Sequence, residues 1–302
     1  MNSPTALFAT GTSSMAIFST KSGLDLYADI VGDPNAPSVL FLHGGGQTRA
    51  TWKSSLASVA ALGFRGIAYD GRGHGESDWS PEGDYRLDAF ASDLASVLDA
   101  LRRPTILIGA SLGGITSLLY LGEQQSTWVR GLVLVDVAPR INPTGVQRIL
   151  DFMAANPEGF ASIEEAAGAV RAYNPDRPRA PGTSGLAANL RKRNGRYFWH
   201  WDPAFLNDRR TERELLQSRL DAAARRITVP SLLIHAGRSD VVTETEVRHL
   251  QELVPHCRYQ RIEKAGHMVS GDANTVFNAA IRDFLLGLPS AGSHSSDTTV
   301  KG

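Results

Sequence analysis

Short runs of apolar, β-branched residues alternate with helical patterns along most of this 302-residue chain, and this alternation constrains its fold more than any other feature. Strands that are joined by helices run mostly parallel, and the helices cover both faces of the sheet. The fold class is therefore predicted as α/β, with a mostly parallel, eight-stranded sheet flanked by helices. The predicted strands are 16–20, 25–31, 38–42, 65–69, 104–108, 131–136, 231–235 and 258–262. The predicted helices outside the interruption described next are 51–62, 86–102, 112–124, 244–254 and 270–286.

The alternation stops for almost ninety residues, at 139–226. A segment of this length needs structure of its own, because long structureless loops are uncommon in compact domains. Helical spacing recurs inside it, at residues 145–155, 163–173 and 211–225, with prolines between the patterns. We predict an inserted helical cap at 139–226, a core formed by 1–138 and 227–287, and a disordered tail rich in Ser, Thr and Gly at 288–302.

The clearest chemical signal is a Gly-x-Ser-x-Gly motif that stands between a predicted strand and a predicted helix. Ser111 is its serine, and Gly109, Gly113 and Gly114 remove side chains that would crowd a tight turn. The amides that open the following helix would point at negative charge forming beside the hydroxyl. The motif alone also occurs in ordinary turns, but the flanking strand and helix favour Ser111 as a nucleophile.

A serine hydroxyl needs a base, and the base needs a group that orients it. His267 lies on the loop after the last predicted strand and is the candidate base. Asp240 follows the strand at 231–235 and is the favoured orienting acid, because its chain order and its loop position fit. Asp136 ends the preceding strand and is the alternative.

A glycine-rich loop, residues 43–47, follows the third predicted strand. Glycines let backbone amides approach an oxyanion, so we predict the N–H groups of Gly45 and Leu112 as its donors. Gly44 is an adjacent alternative and is expected to border the substrate. A merely flexible loop is the competing interpretation. Two histidines in glycine-rich turns, His43 and His74, are expected to brace the backbone.

These motifs together resemble the α/β-hydrolase fold family, specifically its serine esterase-like members with a single cap. The resemblance spans nearly the whole chain and includes residues 69–77, which are similar to a loop that is usually structural in the family. It implies hydrolysis of a small-molecule carboxylic ester through an acyl-enzyme, without metal or cofactor. A metal site at Asp70 and His74 is the disfavoured alternative for that loop.

The resemblance also separates reaction classes within the family. Epoxide hydrolases and haloalkane dehalogenases use an aspartate where this chain has Ser111, and hydroxynitrile lyases lack the glycine-rich loop. Carbon-carbon hydrolases typically have Asn before the nucleophile and Pro in the loop, where this chain has Ala110 and no proline. Lactonase and perhydrolase activities would use the same residues as an esterase. A ligand sensor of this fold with little turnover is the hypothesis from another class.

Ring side chains gather within the predicted cap, at residues 197–201. Trp199 is the first candidate for substrate contact, with Phe152 and Met153 beside it, although such clusters also pin a cap onto its core. An arginine in 191–196 that pairs with a carboxylate of an acidic monoester is a further hypothesis.

Composition excludes several function classes. Lys plus Arg and Asp plus Glu each number 31, so a nucleic-acid partner is not expected. Cys257 is the only cysteine, which rules out an internal disulfide. No apolar stretch approaches the roughly 20 residues that cross a bilayer, and no secretory pattern opens the chain. We expect a cytoplasmic protein, either monomer or homodimer, whose partner is a small-molecule ester.

Overall fold

The computed structural model describes residues 13–124, 126–175, 184–187, 189–209, 213–267 and 274–289. Its strands are β1 Ser13–Ser19, β2 Asp25–Val31, β3 Ser38–Leu42, β4 Arg65–Tyr69, β5 Thr105–Ala110, β6 Val129–Val135, β7 Leu190–Arg193, β8 Arg196–Trp199, β9 Ser231–Ala236 and β10 Cys257–Ile262. Its α-helices are α1 Lys53–Ala61, α2 Leu87–Leu101, α3 Leu112–Gln124, α4 Pro143–Ala154, α5 Ile163–Tyr173, α6 Ser184–Ala187, α7 Arg213–Ala224, α8 Glu244–Leu253 and α9 Asn274–Leu286.

Eight strands form one sheet in the order β1-β2-β4-β3-β5-β6-β9-β10. Strand β2 pairs antiparallel with both β1 and β4, and the other pairs are parallel. The predicted fold class is confirmed, and a strand lies at each of the eight predicted positions. The predicted helix residues 270–273 and the tail residues 290–302 lie outside the described part of the chain.

The central strands are buried on both faces, which explains their continuous apolar sequences. Along β3, Val39 and Phe41 face one side and Leu40 and Leu42 the other, because side chains alternate along a strand. The first side packs against α1 and α9, where the Phe41 and Trp52 rings lie 5.1 Å apart. The second side packs against α2, α3, α7 and α8. Parallel strands between two helical layers bring their carboxyl ends to one edge of the sheet.

The segment predicted as a cap contains more than helices. We keep the name cap segment for residues 139–226. Helices α4, α5 and α7 lie at the three predicted positions, but β7 and β8 form an antiparallel hairpin that was not predicted. Asn194 and Gly195 connect the two strands with φ of 48° and 78°, the left-handed pair that a two-residue hairpin turn requires. An Asn-Gly pair is a recognisable hairpin signal, and the hairpin adds two short strands to the predicted helices.

Helix α7 packs against the core helix α3. Leu220, Ala223 and Ala224 belong to the apolar layer beneath α2 and α3. None of the helices in the described part of the chain has the length and the apolar character of a membrane span.

Candidate active site

Ser111 occupies a sharp turn between the end of β5 and the start of α3. Its φ is +46°, in the left-handed region, where a non-glycine residue costs on the order of 1–3 kcal/mol. Hydrogen bonds to neighbouring elements hold the turn: the Ser111 amide donates to the Val135 carbonyl at 3.2 Å, and Ile115 donates to the Ser111 carbonyl at 3.0 Å. The predicted nucleophile therefore stands at the carboxyl edge of the sheet, at the amino end of a helix.

Two glycines of the motif are required by close backbone approaches. A Cβ on Gly109 would lie 2.5 Å from the Gly113 backbone, and a Cβ on Gly113 would lie 2.5 Å from the Leu42 carbonyl oxygen. These separations are too short for any side chain. The glycines thus allow the turn to fold back against β3, as the sequence predicts.

His267 is paired with Asp136. The distance from His267 Nδ1 to Asp136 Oδ2 is 2.6 Å, and the Asp136 side chain is 0% exposed. The same carboxylate accepts from the Ala236 amide at 2.9 Å and from the Ser239 hydroxyl at 2.6 Å. A buried carboxylate needs such donors to offset its lost hydration. The hydrogen bond at Nδ1 fixes the imidazole ring and leaves Nε2 for the serine proton.

The prediction of Asp240 as the partner of His267 is wrong. Asp240 Oδ2 instead lies 3.1 Å from the Arg148 guanidinium, which belongs to the cap segment. The backbone of Asp240 packs closely against α4, since a Cβ on Gly145 would lie 2.3 Å from the Asp240 carbonyl oxygen. Asp136 comes directly after β6 and reaches the end of the neighbouring β9, which places it nearer to the loop beyond β10.

The backbone amides of the glycine-rich loop differ in whether they already donate a hydrogen bond within the protein. The Gly44 amide donates to Gln47 Oε1 at 3.0 Å, and the Gly46 amide donates to His74 Nε2 at 3.0 Å. Within the described residues, the amide of Gly45 makes no such bond. Leu112 begins α3, so its amide is one of the first-turn donors that lack a partner in the helix. This pattern favours the predicted pair, Gly45 and Leu112, over Gly44 as oxyanion donors.

The backbone of Gly46 is held from two sides. His74 accepts the Gly46 amide, and its own Nδ1 donates to the Arg72 carbonyl at 2.9 Å. His200, from the cap segment, donates from Nε2 to the Gly46 carbonyl at 3.2 Å and accepts the Gly75 amide at Nδ1 at 2.8 Å. Each ring uses one nitrogen as donor and one as acceptor, which requires the neutral imidazole.

His43 has the same arrangement. Its Nε2 accepts the Gly71 amide at 2.8 Å, and its Nδ1 donates to the Gly44 carbonyl at 2.8 Å. Burial lowers the pKa of His43, and burial lowers the pKa of His200 to about 3, with neighbouring His43 and Arg191 adding to the shift. The expectation that His43 and His74 brace the backbone is confirmed, and His200 joins them.

Asp70, the other half of the disfavoured metal site, is also occupied within the protein. It accepts from the Arg49 amide at 2.7 Å and the Glu76 amide at 3.0 Å, and it forms an ion pair with the Arg49 side chain. Asp70 and His74 therefore hold their loop together. Across the described ranges, no cluster of three or more His, Cys, Asp or Glu has the geometry to hold a metal ion.

A cavity of about 740 Å³ lies beside Ser111 and His267. Gly44, Gly45, Leu112 and the three predicted cap residues line it: Phe152, Met153 and Trp199. Other apolar lining residues were not singled out from the sequence: Ile115 and Val137 from the core, and Ile149 and Phe205 from the cap segment. Trp201, from the predicted aromatic run, lines the cavity as well. The walls are thus mostly apolar around a few polar groups, as in small-molecule sites.

Trp199 both lines the cavity and pins the cap segment. Its ring stacks on Trp201 at 5.0 Å and meets the edge of Phe160 at 5.2 Å. This cluster includes Tyr85 and Phe90 from the core. The two interpretations of the aromatic run are therefore compatible.

The basic residues of the hairpin do not border the cavity. Arg191 donates to the Gly75 carbonyl and lies over the Trp79 ring, 5.5 Å from its centroid, and Arg193 lies 4.6 Å from the Phe198 centroid. Arg196 donates to the Gly159 carbonyl at 2.8 Å. The hypothesis that an arginine in 191–196 binds a substrate carboxylate is therefore wrong.

Comparison with known proteins gives consistent results. The sequence model of the family described as alpha/beta hydrolase fold matches residues 37–273. Esterase Rv0045c of Mycobacterium tuberculosis is 31% identical over 259 residues, which cover 83% of each chain. The sn-1-specific diacylglycerol lipase ABHD11 of Mus musculus is 29% identical, over 84% of this chain and 82% of the lipase. A solved structure of the M. tuberculosis esterase aligns with a TM-score of 0.72 and 27% identity, over 94% of this chain and 93% of the esterase. The chain belongs to the α/β-hydrolase fold family and is an esterase-like member of it.

Proposed function

We propose that this protein is a serine esterase that cleaves a carboxylic ester of a small molecule through an acyl-enzyme. The observation that carries the proposal is the 2.6 Å contact between His267 Nδ1 and the buried Asp136, on the same cavity as Ser111. A base that is oriented by a carboxylate and borders the same cavity as a serine on a sharp turn is the arrangement that acyl transfer requires.

In the proposed mechanism, His267 Nε2 takes the Ser111 proton as the hydroxyl oxygen attacks the ester carbonyl. The amides of Gly45 and Leu112 stabilise the resulting oxyanion, and each such donor contributes about 3 kcal/mol to the transition state. The bond to the alcohol oxygen then breaks, and His267 returns the proton to the leaving alcohol. Water attacks the acyl-enzyme by the same route and releases the acid.

The cavity supports a small or medium-sized substrate. Its 740 Å³ falls within the range of about 300–1,000 Å³ that small-molecule sites occupy. Apolar walls suit the hydrocarbon part of an acyl or alcohol group. Two relatives, one named as an esterase and one as a diacylglycerol lipase, support ester hydrolysis as the reaction class.

The first test is hydrolysis of p-nitrophenyl esters from acetyl to decanoyl by wild type, Ser111→Ala and Ser14→Ala. Ser14 is an exposed serine on β1 and serves as the matched control. We expect turnover in wild type and Ser14→Ala, and a loss of at least about a thousandfold in Ser111→Ala, because the nucleophile is removed. A fluorophosphonate probe should label wild type and not Ser111→Ala.

Activity that survives in Ser111→Ala would contradict the nucleophile assignment. Labelling at Ser111 without turnover of any ester would favour a carbon-carbon substrate or a sensing role.

A further inference from the structure

We propose that the rim of the cavity binds a carboxylate, so that the preferred substrates are esters that carry a free carboxylate remote from the scissile bond. This inference rests on the proposed esterase function. It starts from four charged residues among those that line the cavity: Arg148, Arg238, Asp240 and Lys264. Three are cationic and one is anionic, in contrast to the apolar inner wall.

The charged group lies at the solvent-facing end of the cavity. The Arg148 side chain is 57% exposed and that of Asp240 is 39% exposed, whereas Trp199 on the inner wall is 8% exposed. Arg238 and Lys264 are exposed as well. The loops after β9 and β10 meet here, since the Arg238 amide donates to the Ala265 carbonyl at 3.0 Å. A substrate with its carbonyl at Ser111 would thus point its distal end toward these cations.

Arg148 is positioned before any ligand arrives. Asp240 holds it at 3.1 Å, and its guanidinium lies over the Tyr173 ring, 5.3 Å from the centroid. The Tyr173 ring also stacks on the Phe152 ring, with 4.4 Å between the ring centroids. A guanidinium has five N–H donors in a planar fork, so one ion pair leaves donors for a carboxylate.

Charge at the rim favours an anionic ligand. Asp240 balances one of the three cations, and the other two, Arg238 and Lys264, give the rim a net positive charge. A positive rim attracts an anionic substrate and disfavours a cationic one, and salt weakens both effects. The apolar wall between the rim and Ser111 suits a short methylene chain. The best-fitting class is therefore a monoester of a dicarboxylic acid or an ester of an ω-hydroxy acid.

The test compares acidic and neutral substrates of equal length. One arm uses p-nitrophenyl hydrogen glutarate, adipate and suberate against the pentanoate, hexanoate and octanoate, which places the carboxylate on the acyl side. The second arm uses 6-butyryloxyhexanoate against hexyl butyrate, which places it on the alcohol side. We expect the acidic member to have the higher kcat/KM in at least one arm, mainly through a lower KM. Equal or lower values in both arms would overturn the proposal.

Charge-neutralising variants identify the rim as the cause. In Arg148→Gln, Arg238→Gln and Lys264→Gln, the acidic-to-neutral ratio of kcat/KM should fall by about fivefold or less, as for partly exposed ion pairs. Asp240→Asn should raise the ratio, because it removes the competing anion. Arg130→Gln is the matched control. Arg130 is exposed at the amino end of β6, whereas the cavity lies at the carboxyl ends of the strands, so this variant should leave the ratio unchanged. A ratio that no rim variant moves would overturn the subsite.

Binding to the Ser111→Ala protein separates this inference from the esterase proposal. Quenching of tryptophan fluorescence reports ligand in the cavity, because Trp199 and Trp201 line it. p-Nitrophenyl hydrogen adipate should bind several-fold more tightly than the hexanoate, and Arg148→Gln in that background should reduce the difference. Equal binding overturns the carboxylate subsite even if Ser111-dependent hydrolysis of neutral esters is intact. Preferential binding without turnover in wild type would contradict the esterase proposal alone.

Discussion

At the scale of single residues, Asp136 is the group on which the site depends. It is buried, its φ is +50°, and its carboxylate accepts hydrogen bonds from Ala236 and Ser239 as well as bonding His267. Asp240 is partly exposed and bonded to a different partner. Substitution by asparagine should therefore have very different effects at the two positions.

We expect Asp136→Asn to lower kcat for p-nitrophenyl butyrate by about 10³ to 10⁴-fold. The Ala236 amide would keep the amide oxygen of the new side chain, so its NH2 group would face His267 Nδ1 and favour the wrong tautomer of the imidazole. Asp240→Asn should lower kcat by less than about tenfold. Steady-state kinetics test this, with thermal unfolding as a control that both variants are folded. Comparable losses in the two variants would contradict the assignment of Asp136.

Ser111, His267 and the glycine loop could be predicted from the sequence because each is marked by its immediate neighbours. Glycines leave room for a tight turn or for a backbone donor, and each site residue follows a predicted strand. The sequence pattern favoured Asp240 over Asp136, and this choice was wrong. Both follow a strand, and both lie between Ser111 and His267 in the chain, so chain order fits either. The choice depends on β6 and β9 being neighbours and on α4 drawing Asp240 toward Arg148, which are properties of the folded sheet.

At the scale of elements, the contact between α3 and α7 requires a glycine. A Cβ on Gly122 would lie 2.4 Å from the Ala223 carbonyl oxygen, a backbone atom that moves only with its helix. Gly168 lies within α5, and its nearest neighbour would be the Arg171 guanidinium, 3.6 Å away, at the end of a flexible side chain. Substitution by alanine should therefore change the stability of the protein in opposite directions at the two positions.

Gly122→Ala should destabilise the protein by about 1–3 kcal/mol, because the helices must separate. Gly168→Ala should stabilise it by about 0.5–1 kcal/mol through helix propensity. The free energy of unfolding in urea, measured for both variants and wild type, tests the pair. Stabilisation by both substitutions would contradict the close crossing of α3 and α7.

The sheet could be predicted from the sequence because its inner strands are short, continuous apolar runs, and such runs are typical of strands that are buried on both faces. The hairpin of β7 and β8 is different. Apart from Leu190, its strand residues are charged or aromatic without a clear alternation of buried positions, and only Asn194 and Gly195 mark the turn. Short strands outside the main sheet gain little from burial, so their sequence pattern is weak.

At the scale of the whole molecule, buried neutral histidines make stability depend on pH. The unfolded chain binds a proton at His200 near pH 6.5, whereas the folded protein binds it only near pH 3. A lowered folded pKa means that the contribution is complete above pH 6.5 and is lost as the pH falls toward 3. At pH 5 this one residue should cost about 2 kcal/mol of unfolding free energy. Protonation of His43, whose pKa is also lowered, adds to the loss.

Urea unfolding at pH 7, 6 and 5 should therefore show a progressive fall in stability. His200→Asn keeps a side-chain acceptor near the position of Nδ1 and removes the titrating group, so its stability should depend less on pH, even if it is lower at pH 7. An identical pH slope in the variant would contradict the burial of a neutral ring at position 200.

The two-sided attachment of Gly46 couples the cap segment to the loop of the proposed oxyanion site. His74 holds its amide from the core, while His200 holds its carbonyl from the cap segment. A movement of His200 away from the core would break its bond to the Gly46 carbonyl and loosen the loop that carries Gly45, the proposed oxyanion donor. Turnover would therefore depend on the cap segment remaining seated on the core, although His200 itself touches no reacting atom.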